Sequence, residues 1–135
     1  MKPKPIADGF KTQIIKRSSP TKGIPGRYQA FVVVLEGYDT EGMEYPIKEI
    51  YSVIGRSKDV AVQLKDPMVS REHAAIEFDE DAFILKDLDS TNGTYMRGAL
   101  IKQKKLSHGD KFQIGNTVLQ FILEDIVGGR TYEIG

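Results

Sequence analysis

Short apolar segments, separated by turn residues, fill most of the chain from residue 28 onward. Residues 29–35 are mostly β-branched and aromatic, which is typical of a strand buried in a core. Residues 43–47 alternate apolar with polar positions, as a half-buried strand does, and Pro46 places that strand at a sheet edge or beside a bulge. Six further segments are predicted to be strands: 51–54, 60–64, 74–78, 83–85, 111–114 and 117–123.

Turn signals such as Asp66-Pro67, Asp79-Glu80-Asp81 and Gly115-Asn116 lie between these segments. No segment shows a sustained run of apolar residues at the i, i+3, i+4, i+7 spacing of an amphipathic helix. Many short strands with frequent turns therefore predict an all-β fold, either a sandwich or a barrel.

The composition is that of an ordinary globular domain. The chain has 135 residues, of which 40% are hydrophobic and 28% charged, so it can build one core. No apolar run approaches the roughly 20 residues of a membrane-spanning helix, and the first residues lead into no apolar segment. We therefore expect neither membrane insertion nor a cleaved secretory signal. The absence of cysteine excludes disulfides and thiolate metal sites, and a cytoplasmic location is expected.

The net charge of zero conceals an uneven distribution of charge. Residues 1–27 hold seven Lys or Arg and one Asp, a net charge of +6, whereas residues 28–135 carry a net charge of −6. We predict a flexible basic arm over 1–27, a folded body over 28–125 and a loose tail over 126–135. An acidic body neutralises few phosphates of a nucleic-acid backbone, so nucleic acid is not an expected partner.

Two short motifs could capture an anion. Gly55 follows a predicted strand and permits a tight turn, and Arg56 is then either a solvated surface charge or a fork for phosphate oxygens. The segment Ser70-Arg71-Glu72-His73 offers a hydroxyl and a second guanidinium in one loop. A hydrolase could also use Ser70 as nucleophile and His73 as base, but no G-x-S-x-G elbow is present and no residue is clearly placed to orient the histidine.

The segment from Asp87 to Thr94 allows several interpretations. Asn92-Gly93 is a strong hairpin signal on its own. A calcium loop is excluded, because its sixth position would be Asn92 and its twelfth Gly98, where glycine and a bidentate glutamate are required. The remaining functional hypothesis is that the Asn92 amide binds an extended peptide backbone.

In this order and spacing, the motifs resemble the forkhead-associated (FHA) domain over residues 29–124. The resemblance is carried by Gly55-Arg56, by the block from Ser70 to Ala74 and by the block from Asp87 to Thr94, and it continues from Leu106 to Gly115. It implies a β-sandwich of two sheets with about eleven strands and its binding loops at one end. It also implies a phosphothreonine-binding module that is not an enzyme and needs neither cofactor nor metal.

The resemblance further implies a role for each matching residue. Arg56 and Ser70 would hold the phosphate, with Arg71 and Thr91 in support, and Asn92 would bond the main chain of the ligand. Gly55, His73 and Gly93 would shape the loops. FHA domains commonly select the third residue after the phosphothreonine, and the loop position that contributes there is Met68 here, so we expect an apolar preference.

Partners follow from the same resemblance. The expected partner is a phosphothreonine-containing protein or peptide in Ser/Thr kinase signalling. Thr12 and Thr21 each precede an isoleucine by three residues, so the arm itself could be a ligand if either were phosphorylated. The alternative is an FHA-like scaffold in a secretion or membrane-associated assembly that binds its partners without phosphate.

Overall fold

The computed structural model describes residues 22–38 and 40–126, together with the backbone of residues 132–133. Twelve strands and no helix occur in this part of the chain. They are β1 (Tyr28–Glu36), β2 (Glu44–Ile47), β3 (Tyr51–Gly55), β4 (Val62–Gln63), β5 (Ala74–Asp79), β6 (Ala82–Asp87), β7 (Thr94–Met96), β8 (Ala99–Ile101), β9 (Gln103–Leu106), β10 (Lys111–Ile114), β11 (Thr117–Asp125) and β12 (Tyr132–Glu133). Among the described residues there is no helix that could cross a membrane.

The strands form two sheets, so the predicted sandwich is confirmed. The first sheet has the order β2-β1-β11-β10-β7-β8, with the two-residue β12 also paired to β11. The second has the order β4-β3-β5-β6-β9, and β3 and β4 form its parallel pair. Pro46 lies in β2 at the edge of the first sheet, as its missing N–H requires.

The core lies between the two sheets and follows the period-two pattern of the strands. Along β11, Leu119, Phe121 and Leu123 are buried and the residues between them are half-buried. Phe121 meets Phe83 of the opposite sheet at 5.3 Å between ring centroids. This spacing is typical of a packed aromatic pair, and the pair joins the sheets through the interior strands β11 and β6.

Within the predicted body, three strands were not predicted, namely β7, β8 and β9. They are three or four residues long, and β8 and β9 are largely exposed, so they show little hydrophobic alternation. The β7–β8 connection is a two-residue turn in which Arg97 and Gly98 have φ angles of 53° and 77°. Two positive φ values are the signature of the type I′ turn that fits the twist of paired strands.

The hairpin interpretation of Asn92-Gly93 is wrong. The strands on either side, β6 and β7, belong to different sheets, so residues 88–93 form a crossing loop. Gly93 has a φ of +87° within it, a backbone conformation that side chains other than glycine rarely adopt.

The ends of the predicted arm and tail contact the body. Gly23 forms a β-bridge with Glu49, the Ile24 amide donates to the Lys48 carbonyl at 2.9 Å, and Arg27 forms an ion pair with the buried Asp125. In the predicted tail, β12 pairs with the end of β11. Residues 22–27 and β12 therefore lie against the sandwich, while residues 1–21 lie outside the described residues.

Four connections meet at one end of the sandwich: the β3–β4 loop, the β4–β5 loop, the crossing loop and the β10–β11 turn. Antiparallel pairing brings Ile54 beside Ala74, and Ala74 beside Asp87, so the loops that leave these strands adjoin. A Cβ atom at Gly55 would lie 2.0 Å from the Arg71 carbonyl oxygen. Glycine is therefore required there, because any side chain would collide with the backbone of the β4–β5 loop.

Candidate functional site

The β4–β5 loop, residues 64–73, is the centre of this end of the molecule. On one side, the Arg56 amide donates to the Ser70 carbonyl at 3.0 Å and the Ser57 amide donates to the Arg71 carbonyl at 3.1 Å. The Arg56 side chain adds a bond from its Nε to the Val69 carbonyl at 2.9 Å. Two main-chain bonds and one side-chain bond therefore hold Arg56 against the loop that carries Ser70 and Arg71.

Two guanidinium groups are exposed at this rim. Arg56 is exposed, and the bond to Val69 uses only its Nε, so both terminal nitrogens of its fork are left without a hydrogen-bond partner among the described residues. In the part of the chain that the structure describes, neither Arg56 nor Arg71 forms an ion pair with a carboxylate. Two uncompensated cations on two adjoining loops form a local site for an anion, although the body as a whole is acidic.

The Ser70 hydroxyl links the β4–β5 loop to the crossing loop. Its oxygen accepts a hydrogen bond from the Thr91 amide at 3.1 Å. The hydroxyl proton is then left to donate to another acceptor, since a serine hydroxyl both donates and accepts. Ser70 thus presents a donor beside the two guanidinium groups.

His73 is fully buried and holds both loops in place. Its Nδ1 lies 3.0 Å from the Ser70 amide nitrogen, and its Nε2 lies 2.8 Å from the Gly93 carbonyl oxygen. A main-chain N–H can only donate, so Nδ1 is the acceptor and Nε2 carries the proton. The ring is therefore neutral and bonds the main chain of Ser70, not its hydroxyl. This geometry rules out a Ser70–His73 nucleophile–base pair.

Asp87 organises the crossing loop from within. Its Oδ1 accepts from the Ser90 hydroxyl at 2.6 Å and the Thr94 hydroxyl at 2.7 Å, and its Oδ2 accepts from the Ser90 amide at 3.1 Å. The Ser90 oxygen accepts in turn from the Gly93 amide at 2.9 Å. Burial would raise the pKa of Asp87, but the bonds from Ser90 and Thr94 outweigh it and hold the pKa below its ordinary value.

Asn92 joins the crossing loop to Met68 and borders an open hollow. Its Nδ2 donates to the Met68 carbonyl at 2.8 Å, which leaves its Oδ1 and a second N–H for a ligand. The hollow beside it has a volume of about 370 Å³, and we call it the Met68 hollow. It is lined by Met68, Asn92, Tyr95, Gly98, Gln113, Gly115 and Asn116.

The fully buried Asp66 fixes two walls of the Met68 hollow. Its Oδ1 accepts from the Met68 amide at 2.9 Å, and its Oδ2 accepts from the Asn116 amide at 2.6 Å and the Thr117 hydroxyl at 2.9 Å. These three hydrogen bonds satisfy the carboxylate, which would otherwise be a costly buried polar group. It therefore ties the β4–β5 loop to the β10–β11 turn.

The residues predicted for the site adjoin one another. Arg56, Ser70, Arg71, Thr91, Asn92 and Met68 lie at the rim of the joined loops, and Gly55, His73 and Gly93 lie beneath it. Asp66, Asp87 and Tyr95 have no role predicted from the sequence. The D-x-x-S spacing of Asp87 and Ser90 is a local side-chain-to-backbone motif, which could have predicted the role of Asp87.

Among the described residues, no three acidic or histidine side chains are grouped to hold a metal ion.

A two-sheet sandwich with an anion site on loops at one end defines a class of binding modules. The FHA domain family matches residues 52–115, and the chain belongs to this family. The match includes Arg56, the whole β4–β5 loop and the crossing loop.

Two curated relatives come from Mycobacterium tuberculosis. FHA domain-containing protein FhaA is 36% identical over 85 residues, which cover 63% of this chain and 16% of FhaA. Glycogen accumulation regulator GarA is 32% identical over 104 residues, which cover 77% of this chain and 63% of GarA. This chain thus spans less than two thirds of either relative.

The fold is also that of a solved domain from a study of phosphothreonine-dependent FHA domain interactions. That domain is 31% identical to this chain, with a TM-score of 0.64, and the match covers 70% of this chain and 95% of that one.

We predict that Asp87 stabilises the fold in a pH-dependent way. Its folded-state pKa is lowered, so its contribution is complete above the unfolded value of about 3.9 and is lost as pH falls through the folded value. Asp87→Asn should cost about 1–3 kcal/mol of unfolding free energy at pH 7. Urea unfolding between pH 7 and pH 3 should show this difference shrinking below about pH 4.

The control for this experiment is Asp89→Asn, which changes an exposed carboxylate in the same loop. It should leave the unfolding free energy within about 0.5 kcal/mol of wild type. A loss for Asp87→Asn that is equally large at pH 7 and pH 3 would contradict the assignment.

Proposed function

We propose that this protein is a non-catalytic, phosphothreonine-dependent interaction module that acts in Ser/Thr kinase signalling. The observation that carries the proposal is the pair of exposed guanidinium groups, Arg56 and Arg71, without carboxylate partners among the described residues. They flank a serine hydroxyl whose proton is available. A phosphate monoester matches this arrangement, since it carries a charge of about −1.5 to −2 and three strong acceptors.

Each residue has a role in the proposed complex. Arg56 and Ser70 bind the phosphate oxygens, and Arg71 and the Thr91 hydroxyl add supporting contacts. The free Oδ1 and remaining N–H of Asn92 bind the ligand main chain, as its fixed position against Met68 allows.

The energetics are sufficient without a large interface. Each charge-assisted hydrogen bond contributes about 1.5–3 kcal/mol net. Micromolar affinity corresponds to about 8 kcal/mol, which two or three such bonds and the main-chain contacts of Asn92 can supply. The site is also rigid before binding, because hydrogen bonds within the protein already fix its loops, and this lowers the entropic cost of association.

The comparisons support the same class of ligand. The solved domain at 31% identity belongs to a study of phosphothreonine-dependent interactions. FhaA and GarA are longer proteins, of which this chain spans 16% and 63%. A cytoplasmic location remains a prediction.

A phosphate-independent scaffold is the alternative function. Such a scaffold would bind its partner through packing and would not need two guanidinium groups beside a hydroxyl. The arrangement around Arg56 therefore favours the phosphate-dependent module, and removing phosphate from the ligand separates the two functions.

We predict that Arg56→Ala abolishes measurable binding of a phosphothreonine peptide while the fold is retained. Removing one partner of a charge pair at an interface costs about 2–5 kcal/mol, or about 30-fold or more in Kd. The measurement is calorimetry with a phosphothreonine peptide and its unphosphorylated form. Arg97→Ala is the matched control, because the Arg97 side chain is 86% exposed on the β7–β8 turn.

The two variants make the outcome decisive. Arg97→Ala should bind like wild type, which shows that loss of a surface arginine alone is harmless. Retention of wild-type affinity by Arg56→Ala would show that the anchor is misassigned. Equal binding of both peptide forms by the wild-type protein would favour the scaffold instead.

We also propose that Met68 favours an apolar residue at the third position after the phosphothreonine. Its side chain is 46% exposed and lines the Met68 hollow, so an apolar ligand side chain would bury further apolar surface there. In a peptide array, Ile or Leu at this position should bind better than Asp, and Met68→Lys should reverse that order. Preference of the wild-type protein for Asp would exclude this role.

The basic arm remains a candidate ligand, although Thr12 and Thr21 lie outside the described residues. After treatment with a Ser/Thr kinase and confirmation of the modified threonine by mass spectrometry, the phosphorylated chain should bind an added phosphothreonine peptide more weakly than the untreated chain. Full affinity in a chain phosphorylated at Thr12 and Thr21 would rule out the arm as a competing ligand.

A further inference from the structure

A second hollow lies between the crossing loop and the β7–β8 hairpin. Its volume is about 390 Å³, and its walls include Thr91, Asn92, Tyr95, Leu100, Ile101 and Lys102. We call it the Leu100 hollow. Asn92 and Tyr95 line this hollow and also the Met68 hollow, so the crossing loop is a ridge between two adjoining depressions.

An exposed apolar pair forms one side of the Leu100 hollow. Tyr95 and Leu100 are directly opposite each other in the β7–β8 hairpin. Leu100 is 66% exposed and Tyr95 is 37% exposed, and single surface leucines need no explanation. Here, however, the two side chains lie together beside the residues proposed to bind the ligand.

The pair is held against the crossing loop and is not a loose surface feature. A Cβ atom on Gly93 would lie 2.5 Å from Leu100 Cδ1 and 3.3 Å from Tyr95 Cε1. The two side chains therefore cover the α-carbon of Gly93, next to Asn92. At its other end, the hairpin is closed by the two-residue turn of Arg97 and Gly98.

The size of the pair indicates what could cover it. Two large side chains bury at most a few hundred Å² between them, whereas a stable protein dimer buries roughly 800 Å² on each partner. The pair alone is too small for a dimer interface but fits one or two ligand side chains. Its walls include Thr91 and Asn92, which are proposed to contact the phosphorylated ligand, so a side chain of that same ligand can reach the hollow.

We propose that the Leu100 hollow is a second specificity site, which takes an aliphatic or aromatic side chain of the phosphorylated ligand at a position other than the third after the phosphothreonine. This proposal rests on the proposed phosphothreonine-binding function. Tyr95 and Leu100 supply the apolar surface, and the Asn92 ridge separates this side chain from the one in the Met68 hollow. The ligand is thus selected at two apolar positions around one phosphate.

The test is a phosphothreonine peptide scan in which Leu replaces Ala at each position from four before to six after the phosphothreonine. Wild-type protein should prefer Leu over Ala at the third position after the phosphothreonine and at one other position. At that other position, Leu should raise the affinity by about 3- to 10-fold. Leu100→Lys and Leu100→Ala should abolish the second preference only. Unfolding midpoints establish that both variants are folded, and Leu35→Lys, at an apolar residue that is 38% exposed on β1, should leave both preferences unchanged.

Each outcome separates this site from the proposed function. Absence of a second apolar preference, or its survival in both Leu100 variants, would overturn the Leu100 site while phosphate dependence stands. Dimerisation of the wild-type protein that both Leu100 variants abolish would assign the hollow to a second copy and also overturn it. Equal binding of phosphorylated and unphosphorylated peptides would overturn the phosphothreonine function and this site together.

Discussion

The neutral ring of His73 is the contact on which the binding end depends. It accepts from the Ser70 amide and donates to the Gly93 carbonyl, and it is fully buried between the two loops. Irregular loops cannot satisfy their main-chain groups through a sheet ladder, so a buried side chain with one donor and one acceptor replaces it. Together with the Thr91–Ser70 and Asn92–Met68 hydrogen bonds at the surface, this buried bridge fixes the separation of the Ser70 hydroxyl and the Asn92 amide.

The buried carboxylate of Asp66 and the half-buried carboxylate of Asp87 also satisfy loop groups by side-chain hydrogen bonds. Asp66 ties the β4–β5 loop to the β10–β11 turn, and Asp87 folds the crossing loop onto itself. The two carboxylates thus accept hydrogen bonds from loop N–H and O–H groups beneath the rim, while Arg56 and Arg71 are exposed at the rim. The result is a locally cationic rim on a body whose net charge is negative. Such a rim can bind one phosphate strongly without attracting extended nucleic acid.

Several features of this protein could be predicted from its sequence. The β-branched run of β1, the alternation of β2 with Pro46 at the sheet edge, and the turn signals define an all-β chain. Gly55, Arg56, the block at Ser70 and the block at Asn92 identify the class of site, because their order and spacing form a specific pattern even though each motif is weak alone.

Only the tertiary structure decided how these features are combined. Strands β7, β8 and β9 are too short and too exposed to show a hydrophobic period, and Asn92-Gly93 has the same local pattern in a hairpin as in a loop that crosses between sheets. The proton position of His73, the role of Asp66 and the pairing of Tyr95 with Leu100 depend on partners distant in the chain. Local sequence carries backbone propensity and residue chemistry, whereas these contacts arise only when the two sheets bring separate loops to one end.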